Sequence, residues 1–75
     1  MKNFEMILKA ALNAANEGCI VITKNNYVSV TGFRFQAGEF MRACNENGCP
    51  LKEVSGALAI LQYVDDACVI QVHLV

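Results

Sequence analysis

The sequence predicts an α+β fold, in which a small antiparallel sheet of three to four strands is backed on one face by two to three helices. Three observations support this class. The N-terminus has an amphipathic helical pattern, a β-branched run with a two-residue turn follows it, and the C-terminal strand is apolar on one side only. With 75 residues, the chain is expected to form one domain, residues 1–75.

The C-terminal run, residues 67–75, is the most β-like stretch of the chain. Read with a period of two, one of its faces is entirely apolar: Cys68, Ile70, Val72 and Leu74. The other face is mixed, because it carries Gln71 and His73. A strand of this kind belongs in a sheet that packs helices on one face only.

The first element is a predicted helix over about residues 3–17. Asn3 is a favourable N-cap residue, and Gly18 is a typical C′ residue. The predicted buried stripe has helical spacing: Phe4, Ile7, Leu8, Ala11, Leu12 and Ala15.

A β-hairpin is predicted next, with strands 19–24 and 27–35 around the turn residues Asn25 and Asn26. In strict alternation, Phe33 and Phe35 fall on the opposite face from Val28 and Val30. We predict a β-bulge at Thr31-Gly32 that brings all four onto one face. The alternative is a straight strand, which leaves the two phenylalanines as an exposed patch.

A second helix is predicted over Gln36–Asn47, with Gly48 after its end. Its apolar stripe consists of Ala37, Phe40, Met41 and Cys44.

The segment 51–64 has two interpretations. As a helix it gives the element order α-β-β-α-α-β, which we favour. In the alternative, a short helical turn at 50–55 stops at Gly56, and 57–64 forms a hairpin with the last strand, giving α-β-β-α-β-β. In that hairpin, Leu61 and Tyr63 join the apolar face, and Gln62 lies with Gln71 and His73.

Composition and charge argue against several function classes. The net charge is −1, and the six basic residues are scattered singly, so we expect no nucleic-acid partner. No run approaches the ~18 apolar residues of a membrane span, and no signal peptide is visible, so we expect a cytoplasmic protein with no membrane partner. Its four cysteines are then expected to be reduced thiols.

Cys44 and Cys49 are the most suggestive pair for site chemistry, because a turn-like Asn-Glu-Asn-Gly separates them. Their spacing is not that of a usual zinc or redox motif, and His73, the single histidine, has no visible nucleophile partner. We therefore expect no catalytic residue, metal or cofactor. A thiol or metal protein using Cys44, Cys49 and His73 is the alternative.

The sequence thus favours a small, non-enzymatic, cytosolic protein-binding module. By analogy of size and charge, it could be an inhibitor of a host defence protein, encoded by a phage or mobile element, that acts by occluding a surface. The predicted partner-binding residues lie on the mixed side of the sheet: Tyr27, Ser29, Gln71 and His73. A further alternative is a homodimeric structural subunit, whose partner is its own copy.

Overall fold

The structure is a computed structural model that describes residues 2–54 and 57–75, with the backbone alone at 57 and 58. In chain order the elements are α1 (Phe4–Asn16), β1 (Ile20–Lys24), β2 (Tyr27–Gly32), α2 (Arg34–Glu46), β3 (Lys52–Val54), β4 (Ala57–Val64) and β5 (Val69–Leu74). The predicted α+β class is confirmed. The two helices agree with the prediction, but the sheet has five strands instead of three to four.

The strands lie in the order β1-β2-β5-β4-β3. β2 and β5 run parallel at the centre, and the other neighbouring pairs are antiparallel. The predicted all-antiparallel sheet is therefore wrong. Both predicted element orders also lack β3, which follows Pro50 and is too short to show alternation in the sequence.

The first helix is confirmed. The Asn3 side chain accepts a hydrogen bond from the Met6 amide, and Gly18 ends the helix with φ +108°. Part of the predicted stripe is wrong, because Leu12 is 65% exposed and Ala15 is also exposed. α1 packs against both the sheet and α2, so its buried arc is turned toward Ala14 and away from Leu12.

The first hairpin and its Asn25-Asn26 turn are confirmed, but the second strand ends at Gly32 and not at residue 35 as predicted. The predicted bulge at Thr31-Gly32 is wrong, because β2 stays in continuous register with β1 through Thr31 and with β5 through Gly32. Glycine is needed there for space: a Cβ would lie 2.7 Å from Cys19 Sγ. The chain then leaves the sheet, and Phe33 becomes the N-cap of α2.

α2 begins two residues earlier than predicted, at Arg34. Gln36 joins this helix start to the end of α1. Its Oε1 accepts from the Phe33 amide at 2.9 Å, and its Nε2 donates to the Glu17 carbonyl at 3.1 Å. The predicted α2 stripe is confirmed, with Ala37, Phe40 and Cys44 fully buried and Met41 partly buried.

The favoured helix over 51–64 is wrong, and the alternative hairpin is correct. β4 pairs antiparallel with β5, with Leu61 opposite Val72, Tyr63 opposite Ile70 and Gln62 opposite Gln71. Residues 52–54 form β3 instead of a helical turn, and Gly56 lies outside the described residues.

Both helices lie on one face of the sheet. α1 contacts β1 and β2, while α2 contacts β2 and β5. Between the two layers lie the fully buried side chains of the two central strands: Val28, Val30, Ile70 and Val72. Cys68, predicted on the apolar face of the last strand, is buried, and so is Cys19. The molecule therefore has two layers, and the second sheet face carries no helix in the described parts of the chain.

We expect Ile70→Ala to lower the free energy of unfolding by about 2–5 kcal/mol, because it opens a cavity in the centre of the core. Val64→Ala is the matched control, since Val64 is 55% exposed; it should change the free energy by less than about 1 kcal/mol. Chemical denaturation of both variants measures the difference. Equal losses would contradict the placement of Ile70 between the layers.

Candidate functional site

The candidate site is the helix-free side of the sheet, which we call the open face. Strand register brings five of its positions into one row across the sheet: Ile22, Ser29, Gln71, Gln62 and Lys52. The row runs from one edge strand to the other. It is uncharged and polar in the middle, with an isoleucine at one end and a lysine at the other.

Side-chain hydrogen bonds order the centre of the open face. Tyr27 Oη donates to Gln71 Oε1 at 3.2 Å, and His73 Nε2 lies 3.4 Å from the same oxygen. Ser29 lies opposite Gln71 on the adjacent strand and is buried among larger neighbours. The amide of Gln71 is thereby held in one orientation, and the tyrosine and histidine rings flank it.

The structure brings all four sequence-predicted partner-binding residues together. Tyr27 and Ser29 lie on β2, Gln71 and His73 lie on β5, and these strands are neighbours at the centre of the sheet. Their role in binding a partner remains a prediction.

Sequence reasoning missed the apolar part of this face. Ile20, Ile22 and Val64 are half exposed or more, and they flank the polar centre on two sides. The alternation of Ile20 and Ile22 with the core-packed Val21 was the available signal. It was obscured because Ile20, Val21 and Ile22 are all apolar and β-branched.

The described charged residues of the open face are both lysines. Lys24 is on the same side of β1 as Ile22, and Lys52 lies opposite Gln62. Glu53 lies opposite Leu61, which belongs to the helix-covered face. A chain with net charge −1 therefore presents a positive open face.

A second exposed apolar feature lies where β2 leads into α2. The Phe33 and Phe35 rings stack with centroids 5.8 Å apart, and Phe35 is 84% exposed. Phe35 also borders a shallow groove of about 540 Å³ between the two helices. The two phenylalanines are thus exposed, as the alternative stated, but the straight strand that it assumed is wrong, because β2 ends at Gly32 and Phe35 lies in α2.

All four cysteines are free and buried. Cys44 lies on the buried side of α2, and the Cys49 amide donates to its carbonyl. Burial raises the pKa of the Cys44 thiol to about 12 and that of Cys68 to about 11. Burial raises the pKa of the Cys49 thiol too, so these thiols are poor nucleophiles and poor metal ligands at neutral pH.

The structure does not bring Cys44, Cys49 and His73 together. The two thiols are in the core on the helix side, whereas His73 is on the open face, so the sheet separates them. Among the residues that the structure describes, no cluster of three or more His, Cys, Asp or Glu side chains is arranged to hold a metal ion.

A polar cluster ties the N-terminus to the β4–β5 turn. Asp65 Oδ1 accepts from the Ala67 and Cys68 amides, and its Oδ2 accepts from Tyr63 Oη at 2.5 Å and from Lys2 Nζ. These bonds, the one from Lys2 foremost, hold the pKa of the Asp65 carboxyl well below its usual value. The carboxylate is occupied by structural bonds, which explains why the turn is ordered.

Neither helix in the described ranges is long and apolar enough to cross a membrane. Comparison of the chain with known protein families, curated proteins and solved structures finds no match.

We expect a thiol reagent such as Ellman's reagent to react slowly with the native protein and with all four cysteines after denaturation. The reason is that the reactive species is the thiolate, which burial disfavours. The measurement is the time course of absorbance with and without denaturant. Rapid stoichiometric reaction of a native cysteine would show an accessible thiol and would revive a thiol-based function.

We expect Asp65→Asn to lower stability at neutral pH. The folded-state pKa of Asp65 is depressed, so its stabilising contribution is present above the unfolded value near 3.8 and declines as pH falls below it. The gap between the unfolding midpoints of wild type and variant should therefore narrow steadily as pH falls from about 4 toward 2. The neighbouring Asp66→Asn is the control, because Asp66 is exposed and makes none of the cluster's contacts. A gap that stays constant as pH falls over this range would contradict this role.

Proposed function

We propose that the protein is a small, non-enzymatic binding module whose recognition surface is the open face of the sheet. The observation that carries this proposal is the organisation of that face: an ordered polar centre around Gln71, with exposed apolar side chains beside it. Protein recognition surfaces combine apolar contact area with a few fixed polar groups in this way.

The charge of the open face favours a neutral or acidic partner surface. Lys24 and Lys52 lie on different edge strands, with the uncharged row between them. Carboxylates on the partner's rim would be attracted to these lysines, which would speed association and fix the register of binding. Two separated lysines are too few to give the phosphate-neutralising patch that nucleic-acid binding requires, so we propose a protein partner.

The simplest mode of action for this surface is occlusion, in which the protein covers a functional surface of its partner. An inhibitor that covers a functional surface requires only affinity and shape, and no reactive group. Support for a non-enzymatic role comes from the described nucleophiles and acids: the thiols are buried with raised pKa values, and Asp65 is held by Lys2 and Tyr63. Free buried thiols also fit a cytoplasmic location, where disulfides are rare.

Site-specific photo-cross-linking in the native cell tests the proposal. A benzophenone amino acid at Thr31 or Gln62 places the probe on the open face, and the same probe at Asn13 places it on the exposed side of α1. We expect a heteromeric cross-linked product from the two open-face positions only. Its mass distinguishes it from a cross-link between two copies of the chain.

The identified partner should then lose affinity for Gln71→Lys by about tenfold or more, because the substitution puts a charge at the desolvated centre. Asn13→Lys adds the same charge on the helical layer and should change affinity little. Titration calorimetry measures both. Cross-linking from Asn13 alone, or equal effects of the two lysines, would move the recognition surface to the helices and overturn the proposal.

A further inference from the structure

The two edges of the sheet are built differently. β3 has three residues, a register shift between Glu53 and Val54, and a charged residue at two of its positions. These features protect an edge against pairing with another strand. β1 has five residues in continuous register, and its sequence Ile-Val-Ile-Thr-Lys is mainly β-branched. From Ile20 to Thr23 the β1 edge has no charged residue and no register shift to protect it.

Backbone hydrogen bonds fix which groups of β1 point outward. Val69 N–H donates to the Asn26 carbonyl and Val75 N–H to the Gly32 carbonyl, so even-numbered residues of β2 face β5. Odd-numbered residues of β2 must then face β1, where they meet its even-numbered residues. The N–H and C=O groups of Val21 and Thr23 therefore point away from the sheet.

We propose that two copies of the chain pair antiparallel through their β1 edges, with Ile22 on the two-fold axis, to form one ten-stranded sheet. In this register Val21 of one copy bonds to Thr23 of the other, so all the outward groups of these two residues find partners. Ile22 meets its own counterpart as a non-hydrogen-bonded pair, in which side chains approach most closely. The strand is thus complementary to itself.

The helical layer fits the same arrangement. α1 lies over β1 and β2, and strands are about 4.8 Å apart, so the two α1 axes would lie about 10 Å from each other. This is the spacing of directly packed helices. Along β1, Ile22 lies about 10 Å from Cys19. Because α1 runs back over the strand, the same ~10 Å corresponds to about seven helical residues counted back from Asn16. The axis is therefore level with about residue 9, and Leu8 and Leu12 lie on either side of that level, each within one helical turn.

The pairing also accounts for the exposed part of the α1 stripe. Leu8, Leu12 and Ala15 lie on the flank of α1 turned away from α2, which is the flank above the β1 edge. Leu12 is 65% exposed in the single chain, and the same flank of a second α1 would cover it. The helical pattern predicted that Leu12 is buried, and Leu12 would be buried in the dimer.

The charge on β1 does not oppose the pair. The charged residue of β1 is Lys24, and the two Lys24 residues would be separated by about 13 Å along the strands. This exceeds the Debye length of about 8 Å at physiological salt. Each Lys24 lies instead opposite Ile20 of the other copy, where its aliphatic stem can cover the isoleucine.

Sedimentation equilibrium tests the proposal from about 1 to 100 µM, a range suited to a small interface. We expect a monomer–dimer equilibrium for the full chain. Thr23→Pro removes an outward N–H and leaves the β1–β2 bonds intact, so it should raise Kd at least tenfold. Thr23→Ala keeps that N–H and should change Kd less than about threefold.

Leu12→Glu tests the helical half of the interface and should also raise Kd at least tenfold, because it places two carboxylates beside the axis. Phe35→Glu is its matched control, since it exchanges a more exposed apolar residue on another surface. Circular dichroism must show that each variant is folded. A monomer at every concentration, dimerisation unchanged by Thr23→Pro and Leu12→Glu, or dissociation by Phe35→Glu would each overturn the proposal.

Amide hydrogen exchange gives a readout on the unmodified chain. Raising the protein concentration through Kd should slow the exchange of the Val21 and Thr23 amides, because these amides form hydrogen bonds with the second copy. The Ile22 amide faces β2 and should serve as the internal reference. Protein that dimerises without new protection at Val21 and Thr23 would show another interface and contradict the pairing.

Discussion

The parallel pairing of β2 with β5 is the constraint on which the rest of the structure depends. These strands are distant in sequence, and their inward side chains, Val28, Val30, Ile70 and Val72, are fully buried. Parallel neighbours require a crossover, and α2 lies within the chain segment that provides it. The same segment contributes β3 and β4, which complete the sheet on the far side of β5.

This central pairing also explains why one face of the sheet is open. Both helices pack over β2, one toward β1 and the other toward β5, because the densest apolar surface lies there. The described parts of this 75-residue chain contain two helices, and both cover the same face of the five-stranded sheet. The other face must be compatible with water, which the polar centre around Gln71 achieves. The exposed isoleucines of this face do not contribute to its solubility, so they are available for contact with a partner.

Local signals predicted much of the fold. The Asn3 and Gly18 caps, the Asn25-Asn26 turn and the stripe of α2 depend on neighbouring residues, so the sequence predicts them correctly. The errors concern long-range packing. Gly32 signals a bulge when read locally, but its small size is needed because Cys19 approaches it across the sheet. The segment 57–64 contains good helix formers, and pairing with β5 overrides that preference.

The candidate site shows the same division. Strand alternation predicted that Gln71 and His73 share one face of β5, and that Tyr27 and Ser29 share one face of β2. Only the pairing of β2 with β5 shows that these are the same face of the sheet and that the residues are neighbours. The apolar part of the surface was hidden because β1 is β-branched on both sides, and alternation cannot show which side is covered. Exposure of Ile20 and Ile22 follows from the position of β1 at the sheet edge, which is a property of the whole fold.

One face of the sheet is covered by helices, and the other is open. Methyl relaxation by a soluble, neutral paramagnetic chelate tests this arrangement most directly, in dilute protein. We expect strong relaxation of the Ile20, Ile22 and Val64 methyl groups and weak relaxation of those of Ile7, Val30 and Ile70. Equal relaxation of the two sets, or protection of the first set in the dilute protein, would contradict the two-layer arrangement and the open face with it.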